Sequence, residues 1–294
     1  MVSAAEPPRT APDVGRRWQA LPSGLASGLA SGAASVPVTA AYAAVLVAVG
    51  VTLAVLGSGA HDAVVTHMST NLHNLAHGEV GTLVGSAFVT DGGDIYAWLP
   101  GLVCLLVLGE LIWRGWRLVI TLTVAHIGAT LLVAAGLAVA IKAGWLPISV
   151  ADASDVGISY CAAGLLGALT ASVPSRWRPA WIGWWVGTAT AAVVATGADF
   201  TAVGHAVALL LGLGLSYRLP GTARWTPIRV VLLAGGGTFG YLTLTGSLTI
   251  APVAGLAGVL IAALAKGWWA RFRQSRTQRR QDVVSNPLRD CHQA

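Results

Sequence analysis

Charged residues are scarce in this chain of 294 residues, at 10% against 55% hydrophobic residues. A soluble globular protein carries about 25% charged residues, so this sequence has too few to cover a surface that faces water. The mean hydropathy of +0.68 excludes a soluble domain on the same grounds. The composition therefore predicts an all-α polytopic membrane protein that has the lipid bilayer as its first partner.

Cysteine is also rare. Cys104, Cys161 and Cys291 lie far apart in the sequence, which argues against a disulfide framework or a CxxC metal pair. The chain has no P-loop and no GxGxxG motif after a strand, so we expect no bound cofactor. Its net charge of +6 comes from basic residues between apolar runs and in the C-terminal tail. That distribution is typical of membrane topology signals and does not favour a nucleic-acid partner.

The sequence is rich in apolar runs whose lengths are close to the 20 residues that a spanning helix needs. They predict about eight transmembrane helices, at residues 36–57, 97–113, 118–141, 157–173, 180–197, 201–217, 228–246 and 250–268. The second, fourth and sixth runs are short, which indicates helices surrounded by protein. The stretch 58–96 is too polar to span, and we expect an extracytoplasmic loop with helices along the membrane surface.

Positive charge predicts the orientation of these helices. Threading them alternately puts the arginine-rich loops on the cytoplasmic side, together with both chain termini. Residues 1–34 are then a disordered cytoplasmic tail, with a cleaved signal peptide as the competing interpretation. Residues 271–294 form a basic cytoplasmic tail. The bias towards Ala, Gly, Val, Leu and Arg is typical of a high-GC bacterial genome, so the expected location is a bacterial plasma membrane.

Two spans carry residues capable of nucleophilic chemistry. Ser159 and His205 lie just inside the same end of the fourth and sixth helices, and each is followed by small residues that permit close helix packing. A serine becomes a nucleophile when a base within about 2.6–3.2 Å accepts its proton, and histidine is the natural base near neutral pH. The spacing favours a catalytic Ser159–His205 dyad. The alternative is that the serine bonds its own backbone and the histidine bonds a neighbouring helix.

Both helices resemble those of the rhomboid intramembrane serine proteases. The segment GISYCAAGLLGAL at 157–169 is similar to the nucleophile pattern G-x-S-G-x-x-x-G-x-x-G, and GHAVALLLG at 204–212 is similar to the histidine helix. The segments GTLVGSAFV at 81–89 and LGELIWRGWRLV at 108–119, with Glu110 and Gly115, also resemble rhomboid segments. The resemblance covers roughly residues 40–218. It implies a six-helix core at 35–218, with an additional transmembrane hairpin at 219–270.

The resemblance also implies a function. Ser159 would attack a peptide bond of a transmembrane protein substrate, and His205 would act first as base and then as acid. The chain departs from the family in two places, however. Tyr160 stands where the pattern has glycine, and TDGGDIYAWLPG at 90–101 lacks the histidine and asparagine that stabilise the oxyanion, donors worth about 10²–10³ in rate each. The residues that could replace those donors are Asn71, His73, Asn74 and Tyr96.

These departures support two alternatives to an active protease. The first is a non-catalytic rhomboid pseudoprotease that binds transmembrane helices. The second is a small-molecule transporter or channel, suggested by the short helices and by the glycine-rich segment LAGGGTFGYLTLTGS at 233–247. Transporters often contain internal repeats, and this sequence shows none that is convincing.

Four histidines lie in the predicted surface loop: His61, His67, His73 and His77. His73 and His77 are four residues apart, so on a helix they would share a face and could ligate a metal. Their order is not the HExxH of zinc proteases, and an amphipathic surface helix explains them equally. We therefore predict no metal site. His126, within the third span, is expected to pack against a polar neighbour or a glycine.

Overall fold

The computed structural model describes residues 32–90, 95–221, 224–246 and 249–285, with side chains left out at 95–96 and 269–285. Most of the predicted N-terminal tail, part of the surface loop and the last nine residues lie outside these ranges. The described helices are α1 Pro37–Leu56, α2 Ser58–Met68, α3 Leu72–Ala76, α4 Thr82–Gly85, α5 Ile95–Trp113, α6 Gly115–Thr123, α7 Ala129–Lys142, α8 Ser159–Ala168, α9 Arg178–Ala195, α10 Phe200–Leu215, α11 Pro227–Thr245 and α12 Ala251–Ser285.

Four helical segments are long and apolar enough to cross a membrane: α1, α11, the continuous stretch Gly115–Lys142 and the first part of α12. Three further apolar helices are shorter, at Ala97–Trp113, Ser159–Ala171 and Phe200–Leu215, and these match the three runs predicted to be short. The fold is thus an all-helical, multi-pass membrane architecture, and the count of eight spans stays a prediction. Helix α12 continues to Ser285, through residues predicted as a tail.

Helix α8 forms the centre of the bundle. Residues 160–168 are all buried, which confirms that this short helix is surrounded by protein. Its nearest neighbour is α10, and glycines bring the two backbones into contact. A Cβ atom added to Gly212 would overlap the carbonyl oxygen of Gly164, and one added to Gly167 would overlap that of Leu209. Small residues allow such contact between membrane helices, where packing and not hydrophobicity drives association.

The C-terminal pair, α11 and α12, packs on two other helices of the bundle. A Cβ on Gly236 of α11 would lie 2.9 Å from the Leu105 backbone of α5, and one on Gly101 of α5 would meet the Phe239 side chain. On the other side, Gly183 of α9 approaches the Gly258 backbone of α12 as closely as backbones can. The pair is therefore an integral wall of the bundle.

The start of α1 is stabilised by a buried carboxylate from α5. Glu110 accepts hydrogen bonds from the backbone N–H groups of Val38 and Thr39, at 3.0 and 2.8 Å, and from the Thr39 hydroxyl at 2.7 Å. The residue before the helix, Val36, provides no side-chain cap. The first N–H groups of a helix lack intrahelical partners and carry partial positive charge, so a carboxylate here satisfies both needs.

A second set of hydrogen bonds holds the region between α2 and α5 against the loop before α8. The Ser69 hydroxyl accepts from the Asp155 backbone N–H at 2.8 Å, and the Thr70 N–H donates to the Asp155 carbonyl at 3.0 Å. Further along, the Gly157 N–H donates to the Ser86 carbonyl at 2.8 Å. These bonds fix the loop immediately before Ser159.

Candidate functional site

Ser159 is the first residue of α8, and its side chain faces a cavity of about 560 Å³. The walls come from α5, α11 and the loop before α8, and include Thr90, Trp98, Thr238, Phe239 and Thr243. Trp98 and Phe239 are stacked there, with ring centroids 6.3 Å apart. The Ser159 hydroxyl makes no hydrogen bond to any residue that the structure describes. It therefore offers a free donor and acceptor to the cavity.

His205 lies on α10 and is buried, with 7% of its surface exposed. Its Nε2 atom has no hydrogen-bond partner among the described residues. Its nearest aromatic neighbour is Tyr160, whose ring meets the imidazole edge to face at 5.5 Å between centroids. The Tyr160 hydroxyl also fills the space next to Gly204, where an added Cβ would overlap it.

The faces of α8 explain why Tyr160, and not Ser159, lies against His205. Successive residues of a helix point about 100° apart, so Tyr160 shares a face with Gly164 and Gly167, the glycines that contact α10. Ser159 shares a different face with Leu166, whose side chain contacts Gly240 of α11. In this arrangement no hydrogen bond joins Ser159 and His205.

A second serine and histidine do form a hydrogen bond. Ser86 Oγ lies 3.0 Å from His126 Nε2, and the Thr70 hydroxyl lies 2.8 Å from Ser86 Oγ. His126 belongs to a π-helical segment, Val124–Gly128, that joins α6 to α7. The expectation that His126 packs against a polar neighbour is confirmed. The partner was not predictable, because 40 residues and an irregular segment separate it from His126.

Tyr160 lies between the two histidines. Its ring centroid is 6.4 Å from that of His126 and 5.5 Å from that of His205. Asp155, in the loop before α8, is the nearest acidic group: burial raises the pKa of its carboxyl to about 6, and the neighbouring Tyr160 hydroxyl partly offsets that rise. The Tyr160 hydroxyl and the Asp155 carboxyl nevertheless do not reach hydrogen-bond geometry, so the hydroxyl stays unpartnered among the described residues.

The side chains considered as oxyanion donors have other partners. Asn71 caps α3 by accepting from the Asn74 N–H at 2.8 Å, and the Asn74 amide donates to the carbonyls of Ser69 and Thr66. His73 pairs with Asp152 at 3.4 Å. The side chain of Tyr96 lies outside the described residues. None of the three described candidates is among the residues that line the cavity at Ser159.

The loop histidines pack together without forming a metal centre. The rings of His73 and His77 are 4.4 Å apart, as a shared helical face predicts, and His77 Nδ1 bonds the His73 carbonyl at 2.8 Å. In the part of the chain that the structure describes, His, Cys, Asp and Glu do not gather in groups of three or more that could hold an ion. Local contacts therefore account for His73 and His77.

Comparison with known proteins places most of this bundle in one family. The family model described as "Rhomboid-like protein" matches residues 33–224, a range that includes α8, α10 and every helix between α1 and α10. The match ends before α11, so the C-terminal pair lies beyond it. No curated protein and no solved structure matches the chain at a significant level.

Proposed function

Because the chain belongs to the rhomboid-like family, we propose that it is a membrane-embedded member that binds transmembrane helices of other proteins without cleaving them. The supporting observation is the position of Tyr160. Its ring lies against the side of His205 that is turned towards α8, and the rhomboid pattern has a glycine at this position. A serine nucleophile needs its base within about 2.6–3.2 Å, and here an aromatic side chain, not the serine, packs against His205.

Bringing Ser159 next to His205 would require a rotation of α8 that costs free energy. Turning α8 by the roughly 100° that separates adjacent residues would carry Ser159 towards α10. It would also turn Gly164 and Gly167 away from α10 and drive larger side chains into a contact that admits only glycine. Overpacking of a well-packed contact typically costs about 1–3 kcal/mol. The observed packing therefore favours a silent state, in which Ser159 is not hydrogen-bonded to His205 and is not activated.

The cavity at Ser159 is the proposed binding site for a partner helix. Its 560 Å³ corresponds to little more than one turn of helix, since a turn 5.4 Å long and about 10 Å wide fills roughly 420 Å³. It can therefore receive a helix end or a few side chains, not a whole span. The stacked Trp98 and Phe239 offer apolar surface, and the Ser159 hydroxyl offers a hydrogen bond that is favourable in a membrane interior.

The competing hypothesis is an active peptidase that uses Ser159 and His205. It draws on one observation, the unpartnered Nε2 of His205, which is the atom that a general base would use. This hypothesis requires Tyr160 to leave its place beside His205 during the reaction. Binding and cleavage can be separated by experiment, because only cleavage depends on a basic group at position 205.

A photo-crosslinking experiment tests the binding proposal. A benzoylphenylalanine at position 239 faces the cavity, whereas one at position 132 lies on an exposed part of α7. Both variants are reconstituted with a single-span protein that carries one asparagine near the end of its span. We expect crosslinks from position 239 that weaken when Ser159→Ala removes the hydroxyl. Equal crosslinking from both positions would contradict a specific site.

A further inference from the structure

A second cavity, of about 420 Å³, shares no lining residue with the cavity at Ser159. It is enclosed by α1, by the segment from α4 to the turn at Ser86–Phe88, and by α6 with its π-helical continuation. Its lining includes Val38, Tyr42, Val84, Phe88, Leu122 and His126. No Asp, Glu, Lys or Arg is among the residues that line it. The walls suit an apolar ligand.

The rim of this cavity faces the bilayer. It belongs to α1 and to Gly115–Lys142, both of which are long and apolar enough to span a membrane. Val45 on α1 and Val119 on α6 are 44% and 45% exposed, and Val84 between them is 57% exposed. An occupant would therefore enter from the hydrocarbon region and not from water.

The volume limits how large that occupant can be. One turn of an α-helix fills roughly 420 Å³, so the cavity would hold a single turn of a partner helix and no more. A volume in this range is ordinary for a site that binds a small molecule. A flexible hydrocarbon chain can follow such a space, since each buried methylene contributes about 0.8 kcal/mol. We propose that this cavity binds one acyl chain of a membrane lipid.

Hydrogen bonds keep the cavity from collapsing. The Tyr42 hydroxyl on α1 donates to the Ala87 carbonyl at 2.6 Å, and Ser86 Oγ lies 3.0 Å from His126 Nε2. These bonds pin the irregular segment to helices on both sides. Irregular backbone in a membrane protein is tolerated where it lines a cavity or is buried in protein, and Ala87 and Phe88 of this segment line the cavity.

His126 is a buried polar side chain in the wall of this cavity. The residue is 5% exposed, lines the cavity, and its Nδ1 atom has no partner among the described residues. In the tautomer in which Ser86 donates to Nε2, Nδ1 carries the ring hydrogen and needs an acceptor. Nδ1 is itself buried, so it reaches the carbonyl oxygen at the head of an acyl chain, in an ester or a free acid alike, only when the neighbouring side chains move apart.

Photoreactive lipids test this site directly. The wild-type protein is placed in nanodiscs that contain either a phosphatidylethanolamine or a free fatty acid, each with a diazirine on its acyl chain. Adducts are located by mass spectrometry of peptides after illumination. The informative residue is Cys161, which lines the inner wall and is only 2% exposed. Lipid around the outside of the protein does not reach it.

We expect an adduct on the peptide that carries Cys161. Ala41→Trp places a large side chain in the cavity and should reduce this adduct at least about tenfold, because the excluded methylenes each contribute several-fold to affinity. Leu131→Trp, at an exposed position of α7 outside the cavity, should leave it unchanged. Adducts from the fatty acid alone would assign the site to free acids.

The wild-type measurement decides the proposal by itself. Adducts confined to exposed residues, with none at Cys161 or His126, would overturn it. So would an adduct at Cys161 that persists in both Ala41→Trp and Val45→Trp with unchanged intensity. Labelling of exposed residues in the same samples reports whether each variant is folded. Because this cavity and the Ser159 cavity have separate walls, failure here leaves the proposed function untouched.

Discussion

The ring of Tyr160 meets the imidazole of His205 edge to face, with 5.5 Å between centroids and an angle of 88° between planes. This geometry is one that aromatic pairs prefer, and it contributes about 0.5–1.5 kcal/mol beyond the buried area. The rhomboid pattern has a glycine at position 160, so in this chain the Tyr160 side chain fills space that a glycine would leave open. The proposed function depends on this pair.

Truncating Tyr160 should destabilise the protein through loss of packing. The side chain is 2% exposed, so Tyr160→Ala opens a cavity, and comparable aromatic truncations cost about 3–5 kcal/mol. Tyr160→Phe keeps the ring and removes a hydroxyl that has no hydrogen-bond partner among the described residues. Its effect should stay within about 1 kcal/mol. Thermal unfolding in detergent measures both, and a large loss in Tyr160→Phe would show that the hydroxyl is bonded.

The contact between α8 and α10 predicts opposite effects for two glycines of the same helix. Gly212→Ala would place a methyl group on the Gly164 carbonyl and should cost about 1–3 kcal/mol or more. Gly214→Ala meets nothing within 4 Å and should be neutral or stabilise by up to about 1 kcal/mol through helix propensity. Melting temperatures of the two purified variants provide the comparison. Equal melting temperatures would contradict the close approach.

Removing the carboxylate of Glu110 should loosen the start of α1. Glu110→Ala leaves two backbone N–H groups and one hydroxyl without their acceptor, at about 1–3 kcal/mol for each buried group. Glu110→Gln retains an amide oxygen and should lose less. Thr39→Val removes only the hydroxyl bond, so its cost should be the smallest of the three. Hydrogen exchange at the first turn of α1 reports the effect locally, and an unchanged exchange rate in Glu110→Ala would refute it.

Stability should depend on pH through Asp155. Burial raises the pKa of its carboxyl from 3.8 to about 6, so the folded protein holds this proton more tightly than the unfolded chain does. Stability contributed by the protonated form is therefore lost as pH rises from about 4 to about 6. Asp155→Asn should flatten the dependence in that window and raise the melting temperature at pH 7. Asp152→Asn removes an exposed carboxylate from the same loop and controls for net charge.

Much of the bundle follows from patterns that are local in sequence. The apolar runs predicted where the helices lie, and one of the three short helices, α8, proved to be surrounded by protein. Gly164 and Gly167 after Ser159, and Ala208 and Gly212 after His205, predicted a close contact between α8 and α10, and the structure has that contact. The family match over residues 33–224 confirms the resemblance read from these segments.

Features that depend on the rotation of a helix or on an irregular segment were not predictable. Ser159 and Tyr160 are adjacent in sequence, and only packing decides which of them meets His205. The bond between Ser86 and His126 joins a short turn to a π-helical segment, and neither follows a period that sequence patterns reveal. Glu110 lies in a segment that resembles the rhomboid pattern, but its role at the start of α1 needed the structure.

Labelling by a fluorophosphonate in native membranes, compared between wild type and Ser159→Ala, tests most directly whether Ser159 is activated. Such probes react with a serine whose hydroxyl is activated by a base, and they need no substrate. We expect the same labelling for wild type and Ser159→Ala, because Tyr160 and not Ser159 lies against His205. An adduct on Ser159 that disappears in both Ser159→Ala and His205→Ala would contradict it.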